Sequence, residues 1–172
     1  MDTKLMFSSK SQEYGTPAWL MKEIDAKYGA FDLDPAATAA NAKARNYFTK
    51  EQDGLKQEWR GNVFVNPPYG RGSTRLWVAK AVNEIIEPDH AQQVVMLLPA
   101  RTDTRWFQDD VMEYAYNVDF IRGRVVFEQE GGAGNPAPFP SIVVVFNQMW
   151  AVRKRPLMGT IRIGEWEWNE SH

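Results

Sequence analysis

The chain has 172 residues, 44% of them hydrophobic, no cysteine and a net charge of −2, which favours one globular domain (1–172) over a disordered segment. We expect a core over about residues 14–146 and a C-terminal tail over residues 147–172. With no bilayer-length apolar run, no signal-peptide layout in residues 1–10 and no thiolate ligand, the composition indicates a cytoplasmic protein without disulfides, and no metal site is predicted.

The first predicted helix begins at Thr16, which can cap it, and Pro17, which suits the first helical position. Gly29 can end this helix. A short strand over 30–33 then leads to Asp34-Pro35, and the small residues of 36–45 predict a second helix. The apolar residues that share one face of the first helix are Leu20, Ile24 and Tyr28.

A second strand, 62–65, runs into Asn66-Pro67-Pro68-Tyr69-Gly70, and a helix is predicted over 73–86. The apolar side of that helix is expected to carry Val78, Val82 and Ile86.

The second half of the chain predicts a buried strand over 93–98, a helix over 104–116, and strands over 118–121 and 125–127. A Gly/Pro-rich loop over 131–140 and a β-branched strand over 141–146 follow. Strands that alternate with helices favour a mostly parallel α/β sheet, and the late strands favour an antiparallel edge. The tail carries Trp150, Trp166 and Trp168, which are expected to cover part of the sheet or to be covered by a partner.

In such sheets, ligands bind beyond the carboxyl ends of the strands, where Asp34-Pro35 and Asn66-Pro67-Pro68-Tyr69 both fall. Proline holds Asn66 extended, and Pro67 and Pro68 carry no N–H. The turn therefore presents side-chain and main-chain oxygens as acceptors beside the ring of Tyr69. Acceptors next to a ring suit a planar heterocycle that carries an –NH2 group.

The same acceptors have a catalytic use, because hydrogen bonds that favour a tetrahedral nitrogen localise the lone pair of an adenine amine and stabilise the positive charge of a methylation transition state. A plain surface turn that closes a strand explains the four residues equally well, and the turn alone leaves both interpretations open.

A longer ordered set of segments resembles the short phage-type DNA N6-adenine methyltransferases, the phage Dam-like family. The resemblance covers residues from about 14 to about 146. The matching segments are Tyr14-Gly15-Thr16-Pro17, Phe31-Asp32-Leu33-Asp34-Pro35-Ala36-Ala37, Asn41-Ala42-Lys43, Tyr47-Phe48-Thr49, Asp53-Gly54-Leu55, the Asn-Pro-Pro-Tyr-Gly turn, Leu98-Pro99-Ala100-Arg101-Thr102-Asp103-Thr104-Arg105-Trp106-Phe107, Arg122-Gly123-Arg124 and Phe139-Pro140-Ser141.

This resemblance implies an α/β, Rossmann-like S-adenosylmethionine-dependent methyltransferase fold, S-adenosylmethionine as methyl donor and adenine of double-stranded DNA as acceptor. A phage protein of this kind acts in the host cytoplasm, in the setting of restriction and modification. By resemblance, the catalytic residues are Asn66, Pro67, Pro68 and Tyr69. Asn66 and the Pro67 carbonyl hold the target amine, and Tyr69 stacks on a base that has been flipped out of the duplex.

The cofactor site is also expected from the resemblance. Many relatives carry a glycine-rich loop after the first strand, whereas this chain has small residues without glycine from Pro35 to Ala40. Asp34 is expected to bind the cofactor's ammonium group or ribose, and Asp53 its ribose hydroxyls or adenine amine. Asp53-Gly54 is equally typical of a plain turn. The predicted cofactor-binding residues are Thr16, Pro17, Asp34, Pro35, Ala36 and Asp53.

Arginines cluster after the catalytic turn, although the negative net charge argues against a surface that clamps nucleic acid on all sides. Each arginine alone is most simply a solvated charge. The residues predicted to contact DNA phosphates are Arg71, Arg101, Arg105, Arg122 and Arg124. Trp106 and Phe107 are expected in the core, and the loops 70–73 and 128–138 are candidates for target recognition, the second as a mobile lid.

Two alternatives use the same residues differently. An amide nitrogen presents the same geometry as adenine, so RNA adenine or a protein glutamine are possible acceptors. A catalytically silent DNA-binding or regulatory protein of the same fold is the alternative from another class, which the intact turn argues against.

Overall fold

The computed structural model describes residues 14–129, 132–149 and 155–162. In chain order the elements are α1 (Ala18–Tyr28), β1 (Leu33–Asp34), β2 (Asn46–Tyr47), a 3-10 turn (Gly54–Lys56), β3 (Gly61–Val65), α2 (Ser73–Ile86), β4 (Ala91–Pro99), a π-helix (Trp106–Val111) continued by α3 (Met112–Tyr114), β5 (Asn117–Ile121), β6 (Val126–Gln129), β7 (Gly132–Pro136), β8 (Ser141–Asn147) and β9 (Leu157–Ile161). No helix within these described ranges is long and apolar enough to cross a membrane.

Seven strands form one sheet in the order β2-β1-β3-β4-β8-β5-β9. The strands β2, β1, β3 and β4 pair in parallel, β8 is antiparallel to β4 and β5, and β9 is parallel to β5. Strands β6 and β7 form a separate antiparallel hairpin. The predicted α/β, Rossmann-like fold with a mostly parallel sheet is confirmed.

The antiparallel strand lies inside the sheet and not at its edge. All of the residues from Ser141 to Phe146 are buried, because β8 is covered on both faces and paired on both sides. The outer position belongs to β9, which pairs with β5 and extends the sheet beyond the expected core boundary at residue 146. Trp150, Trp166 and Trp168 lie outside the described residues.

The core is divided between the two faces of the sheet, as the alternation along its central strands requires. Val94, Met96 and Leu98 of β4 face the layer that contains α2 and the π-helix. Val95 and Leu97 face the layer that contains α1. Trp106 and Phe107 are buried, as predicted. On α2 the buried face is broader than expected and shifted, since Ile86 is exposed while the residues covered are Thr74, Trp77, Val78, Ala81, Val82, Glu84 and Ile85.

The start of α1 differs from the prediction. Pro17 is the N-cap residue itself, and no side chain of that residue caps the helix. The Glu128 carboxylate, from the distant strand β6, accepts a hydrogen bond from the Ala18 N–H at 3.2 Å. Thr16 faces the other way, toward Asn66. Gly29 ends the helix with φ of 85°, as expected for a glycine stop.

Residues 36–45 do not form the predicted helix but a series of turns. The Asp34 carboxylate accepts hydrogen bonds from the Ala36 and Lys43 main-chain N–H groups. The Asn41 side chain accepts another from Thr38 N at 2.7 Å. Short side-chain acceptors of this kind compete with helical hydrogen bonds, which explains why a segment of helix-forming residues stays in turns.

Two later segments also differ from their predicted form. The helix expected over 104–116 is present over Trp106–Tyr114, but its first part is a π-helix. The segment expected as a mobile loop over 128–138 contains β7, which pairs with β6. The strand β9 was missed because residues 157–161, Leu-Met-Gly-Thr-Ile, show no alternation of apolar and polar residues.

A close backbone contact joins two of the turns that were expected at the ligand site. A Cβ atom added to Gly54 would lie 2.0 Å from the Pro35 carbonyl oxygen. The Gly54 carbonyl in turn accepts a hydrogen bond from the buried Trp59 indole at 2.8 Å. Residue 54 must therefore be glycine for the Asp53-Gly54 turn to pack on the Asp34-Pro35 turn.

We expect Gly54→Ala to lower the free energy of unfolding by about 1–3 kcal/mol, because backbone and not a flexible side chain must move to admit the methyl group. Urea unfolding measures the loss. Gly70→Ala is the matched control, since its Cβ would meet Ser73 at an ordinary 3.6 Å. Equal stability of the two variants would contradict the close contact.

Candidate active site

The strands β1 and β3 are neighbours in space, and the chain reaches β3 only after crossing to β2 on the far side of β1. This order makes the gap between β1 and β3 a topological switch point, the place where open α/β sheets bind ligands. Asp34 ends β1 and Asn66 directly follows β3. The structure therefore brings the two predicted turns to the same edge of the sheet, on adjacent strands.

The Asn66 side-chain amide has protein partners at both of its ends. Its Nδ2 donates to the Tyr14 carbonyl oxygen at 2.5 Å and to Thr16 Oγ1 at 3.0 Å. Its Oδ1 accepts a hydrogen bond from the Tyr69 hydroxyl at 2.8 Å. A carbonyl oxygen only accepts hydrogen bonds, so the amide nitrogen must face Tyr14 and the amide oxygen must face away from it.

Tyr69 is buried in a cluster of aromatic rings formed by Tyr14, Tyr69, Phe127 and Phe139. The Tyr14 ring stacks on Tyr69 with 5.7 Å between centroids and 28° between planes. Phe127 and Phe139 meet the Tyr69 ring edge to face at 6.0 and 5.6 Å. The ring that was expected to stack on a base is thus covered on one face by Tyr14.

The Tyr69 hydroxyl has two acceptors within reach, Asn66 Oδ1 and the Leu97 carbonyl oxygen at 2.9 Å. Burial raises the pKa of Tyr69 well above its ordinary value, and the electrostatic interaction with Tyr14 raises it further. The hydroxyl therefore keeps its proton and acts as a donor to these oxygens.

Asp34 is 3% exposed, and its two oxygens bind main-chain groups of the loop that follows it. Oδ1 accepts from Ala36 N at 3.3 Å and Oδ2 from Lys43 N at 3.0 Å. The carboxylate therefore holds the loop in shape, and a ligand contact at Asp34 has to use the lone pairs that these donors leave. Desolvation raises the pKa of Asp34 from 3.8 to about 6, although the hydrogen bonds from Lys43 and Ala36 oppose the rise.

The other predicted cofactor residues surround this loop. Pro17 and Pro35 are buried, and Ala36 is half-buried. Asp53 has a left-handed backbone with φ of 55°, and its carboxylate pairs with Lys56 at 3.0 Å. The packing of Gly54 on Pro35 keeps Asp53 close to the turn after β1.

The predicted phosphate-binding arginines follow the carboxyl ends of strands that run in one direction. Arg71 follows the turn after β3, Arg101 and Arg105 follow β4, and Arg122 and Arg124 follow β5. All of these side chains are exposed. The topology thus brings the arginines to the sheet edge at which Asn66 lies.

Sequence reasoning missed the parts that Tyr14, Lys43, Phe127 and Glu128 play at this edge. Glu128 exchanges two main-chain hydrogen bonds with Gly15, at 2.9 and 2.8 Å. Its carboxylate lies 3.9 Å from Lys43 Nζ, which connects the loop after β1 with the hairpin. Tyr14 was part of a quoted segment, but its main-chain contact with Asn66 carries no sequence signal.

We expect the raised pKa of Asp34 to make the protein less stable as the pH rises. The folded protein holds this proton up to about pH 6, whereas the unfolded chain releases it near 3.8, so the stabilisation present below 3.8 is lost as the pH passes 6. The expected loss is about 3 kcal/mol. Urea unfolding across this range compares the protein with Asp34→Asn, which does not titrate. Parallel pH profiles for the two would contradict the raised pKa.

Comparison of the sequence with known proteins identifies its family. The sequence profile of the family described as "DNA N-6-adenine-methyltransferase (Dam)" matches residues 4–161. A protein of Escherichia phage T1 named "DNA N-6-adenine-methyltransferase" is 35% identical over 98 residues, which cover 56% of this chain but only 39% of that protein. A protein of the same name from Haemophilus phage HP1 (strain HP1c1) is 29% identical over 137 residues, 77% of each chain. The chain belongs to the DNA N-6-adenine-methyltransferase (Dam) family.

Proposed function

We propose that this chain transfers a methyl group from S-adenosylmethionine to the N6 amine of adenine in double-stranded DNA, with the base flipped into a pocket at Asn66-Pro67-Pro68-Tyr69. The observation that carries the proposal is the fixed orientation of the Asn66 amide, whose oxygen lies at the carboxyl end of β3 beside buried aromatic rings. Membership of the family supports the choice of DNA adenine as the acceptor.

The acceptor atoms for the target amine are Asn66 Oδ1 and the Pro67 carbonyl oxygen. An amide oxygen has two lone pairs, and the Tyr69 hydroxyl uses one of those on Asn66. The second lone pair is left for an amine hydrogen. Because Pro67 and Pro68 have no N–H, the turn offers the amine no competing main-chain donor at these positions.

Transfer moves one methyl group and one proton. The nitrogen lone pair of the adenine amine would form the new N–C bond as the sulfonium–methyl bond of the donor breaks. The electron pair of the broken bond would stay on sulfur, so that the donor leaves as a neutral thioether. The positive charge that develops on nitrogen would be stabilised by the two acceptor oxygens. The methylated ammonium is acidic and loses its proton to solvent. The buried ring of Tyr69 lowers the dielectric constant on one side of the acceptors, which strengthens their interaction with the developing charge. Asn66 is half-buried and Pro68 is exposed, so solvent remains within reach for the proton.

The flipped base needs a flat surface on which to stack, and Tyr69 offers one if the ring of Tyr14 turns away. Rotation about the side-chain bonds of Tyr14 moves its ring without moving its main-chain oxygen, so the contact with Asn66 persists. Extruding an adenine from a duplex costs a few kcal/mol, which the contacts in the pocket have to offset.

The position and composition of the loop after β1 support S-adenosylmethionine as the cofactor. It lies at the switch point between β1 and β3, its side chains from Ala36 to Ala40 are small, and the Asp34 carboxylate fixes its main chain. The residues that would hold the cofactor are Pro17, Asp34, Pro35, Ala36 and Asp53, together with Thr16 through atoms other than its hydroxyl, which binds Asn66. When bound, it supplies a methyl group made electrophilic by a sulfonium centre.

We expect Asn66→Ala to lower the turnover number about 100- to 1,000-fold with little change in cofactor affinity, because the lost oxygen stabilises charge in the transition state. The measurement is transfer of labelled methyl from S-adenosylmethionine to unmethylated duplex DNA, followed by nucleoside analysis for N6-methyladenine. Asn62→Ala is the matched control, since Asn62 lies at the other end of β3 and its Nδ2 also donates to main-chain carbonyls.

Three outcomes would contradict the proposal. Full activity of Asn66→Ala would remove the catalytic role of the turn. Label in RNA or in protein glutamine, with none in DNA, would identify one of the alternative acceptors. Failure of the folded protein to bind S-adenosylmethionine would favour a silent member of the same fold.

We expect Arg101→Ala to weaken binding to all DNA sequences alike and to reduce the slope of log affinity against log salt by about 0.9, the value for one lost phosphate contact. Arg60→Ala is the control, because Arg60 precedes the amino end of β3 and hydrogen-bonds to the Asp89 carbonyl at 3.0 Å. Fluorescence titration of a labelled duplex at several salt concentrations measures both slopes. An unchanged slope for Arg101→Ala would exclude the phosphate contact.

A further inference from the structure

The orientation of the Asn66 amide depends on residues that lie 50 positions earlier in the chain. Thr16 Oγ1 accepts a hydrogen bond from Asn66 Nδ2, and Thr16 is only 2% exposed. Solvent water therefore cannot reach this position to replace the hydroxyl as an acceptor. Without the acceptor at Thr16, the Asn66 amide keeps one fixed partner for its nitrogen, the Tyr14 carbonyl, and can rotate about that contact.

We propose that Thr16 is a positioning residue for the methylation reaction. Its hydroxyl holds the nitrogen end of the Asn66 amide and so keeps the oxygen end directed at the target amine. This rests on the proposed function, because it assigns Thr16 a part in the chemistry of that site. It differs from the cofactor contact expected of Thr16, since the partner is the catalytic amide.

The segment that carries Thr16 is itself fixed. Gly15 pairs with Glu128 through Gly15 N to Glu128 O at 2.9 Å and Glu128 N to Gly15 O at 2.8 Å. A Cβ on Gly15 would lie 3.1 Å from Glu128 Cβ and 3.2 Å from its carbonyl oxygen, so the two backbones are in tight contact. The carboxylate of Glu128 also binds Ala18 N. Thr16 thus lies between Gly15 and Ala18, which Glu128 holds through its main chain and its carboxylate, respectively. A side chain that positions a reacting group needs such fixed neighbours.

The test compares Thr16→Val, which keeps the shape but removes the hydroxyl, with Thr16→Ser, which keeps the hydroxyl. We expect Thr16→Val to lower kcat about tenfold, equivalent to about 1.4 kcal/mol for one hydrogen bond, with KM for DNA and cofactor nearly unchanged. Thr16→Ser should restore most of the rate. A loss confined to KM would overturn the proposal and assign the hydroxyl to ligand binding.

A double-mutant cycle separates an action through Asn66 from an independent one. In the Asn66→Ala background, single-turnover rates should fall no further when Thr16→Val is added, because the amide that Thr16 holds is already gone. Multiplication of the two losses would overturn the proposal.

A second measurement does not depend on activity. The Asn66 side-chain amide signals of 15N-labelled protein are identified by their absence from Asn66→Ala. We expect Thr16→Val to shift these signals and to speed their exchange with solvent, and Thr16→Ser to leave them close to the original. Unchanged signals in Thr16→Val would overturn the positioning role. Shifted signals in a protein that methylates no DNA would uphold the orienting contact and reject the proposed acceptor.

Discussion

The strands β1, β3, β4 and β5 all run in one direction, and this shared direction determines the edge of the sheet at which the candidate site lies. Because these strands point the same way, the segment after each one emerges at the same edge of the sheet. Asp34, Asn66, Arg101 and Arg122 are far apart in sequence, yet each ends or follows such a strand. The inserted strand β8 preserves this arrangement, since β5 and β4 are both antiparallel to it and so remain aligned with each other.

Buried polar side chains fix irregular segments at both ends of the sheet by binding main-chain groups. Asp34 binds two N–H groups of the loop that follows β1. Glu84 binds the Trp59 N–H at 2.9 Å near the opposite end of the sheet. A buried main-chain group without a partner costs about 1–3 kcal/mol, so each carboxylate specifies one loop conformation against others. The main-chain geometry of both regions therefore depends on single side chains.

The sequence predicts the long central elements well, and the short strands and side-chain partners poorly. The helix over 73–86 and the strand over 141–146 follow from local periodicity, and α2 and β8 match them within a residue. Residues 36–45 look helical by composition, but hydrogen bonds to Asp34 and Asn41 favour turns. The Asn-Pro-Pro-Tyr turn is visible in the sequence as a motif. Its contact with Tyr14 is not, because that contact uses a main-chain oxygen that every residue possesses.

The Tyr69 hydroxyl gives the Asn66 side-chain oxygen a hydrogen-bond partner that can also bind elsewhere. It has one hydrogen and two acceptors, Asn66 Oδ1 at 2.8 Å and the Leu97 carbonyl oxygen at 2.9 Å. Transfer of the hydrogen bond from one acceptor to the other leaves the buried hydroxyl with a partner in either case. For the proposed reaction, this transfer would leave both lone pairs of Asn66 Oδ1 open to the target amine without movement of the amide, whose nitrogen stays bound to Tyr14 and Thr16.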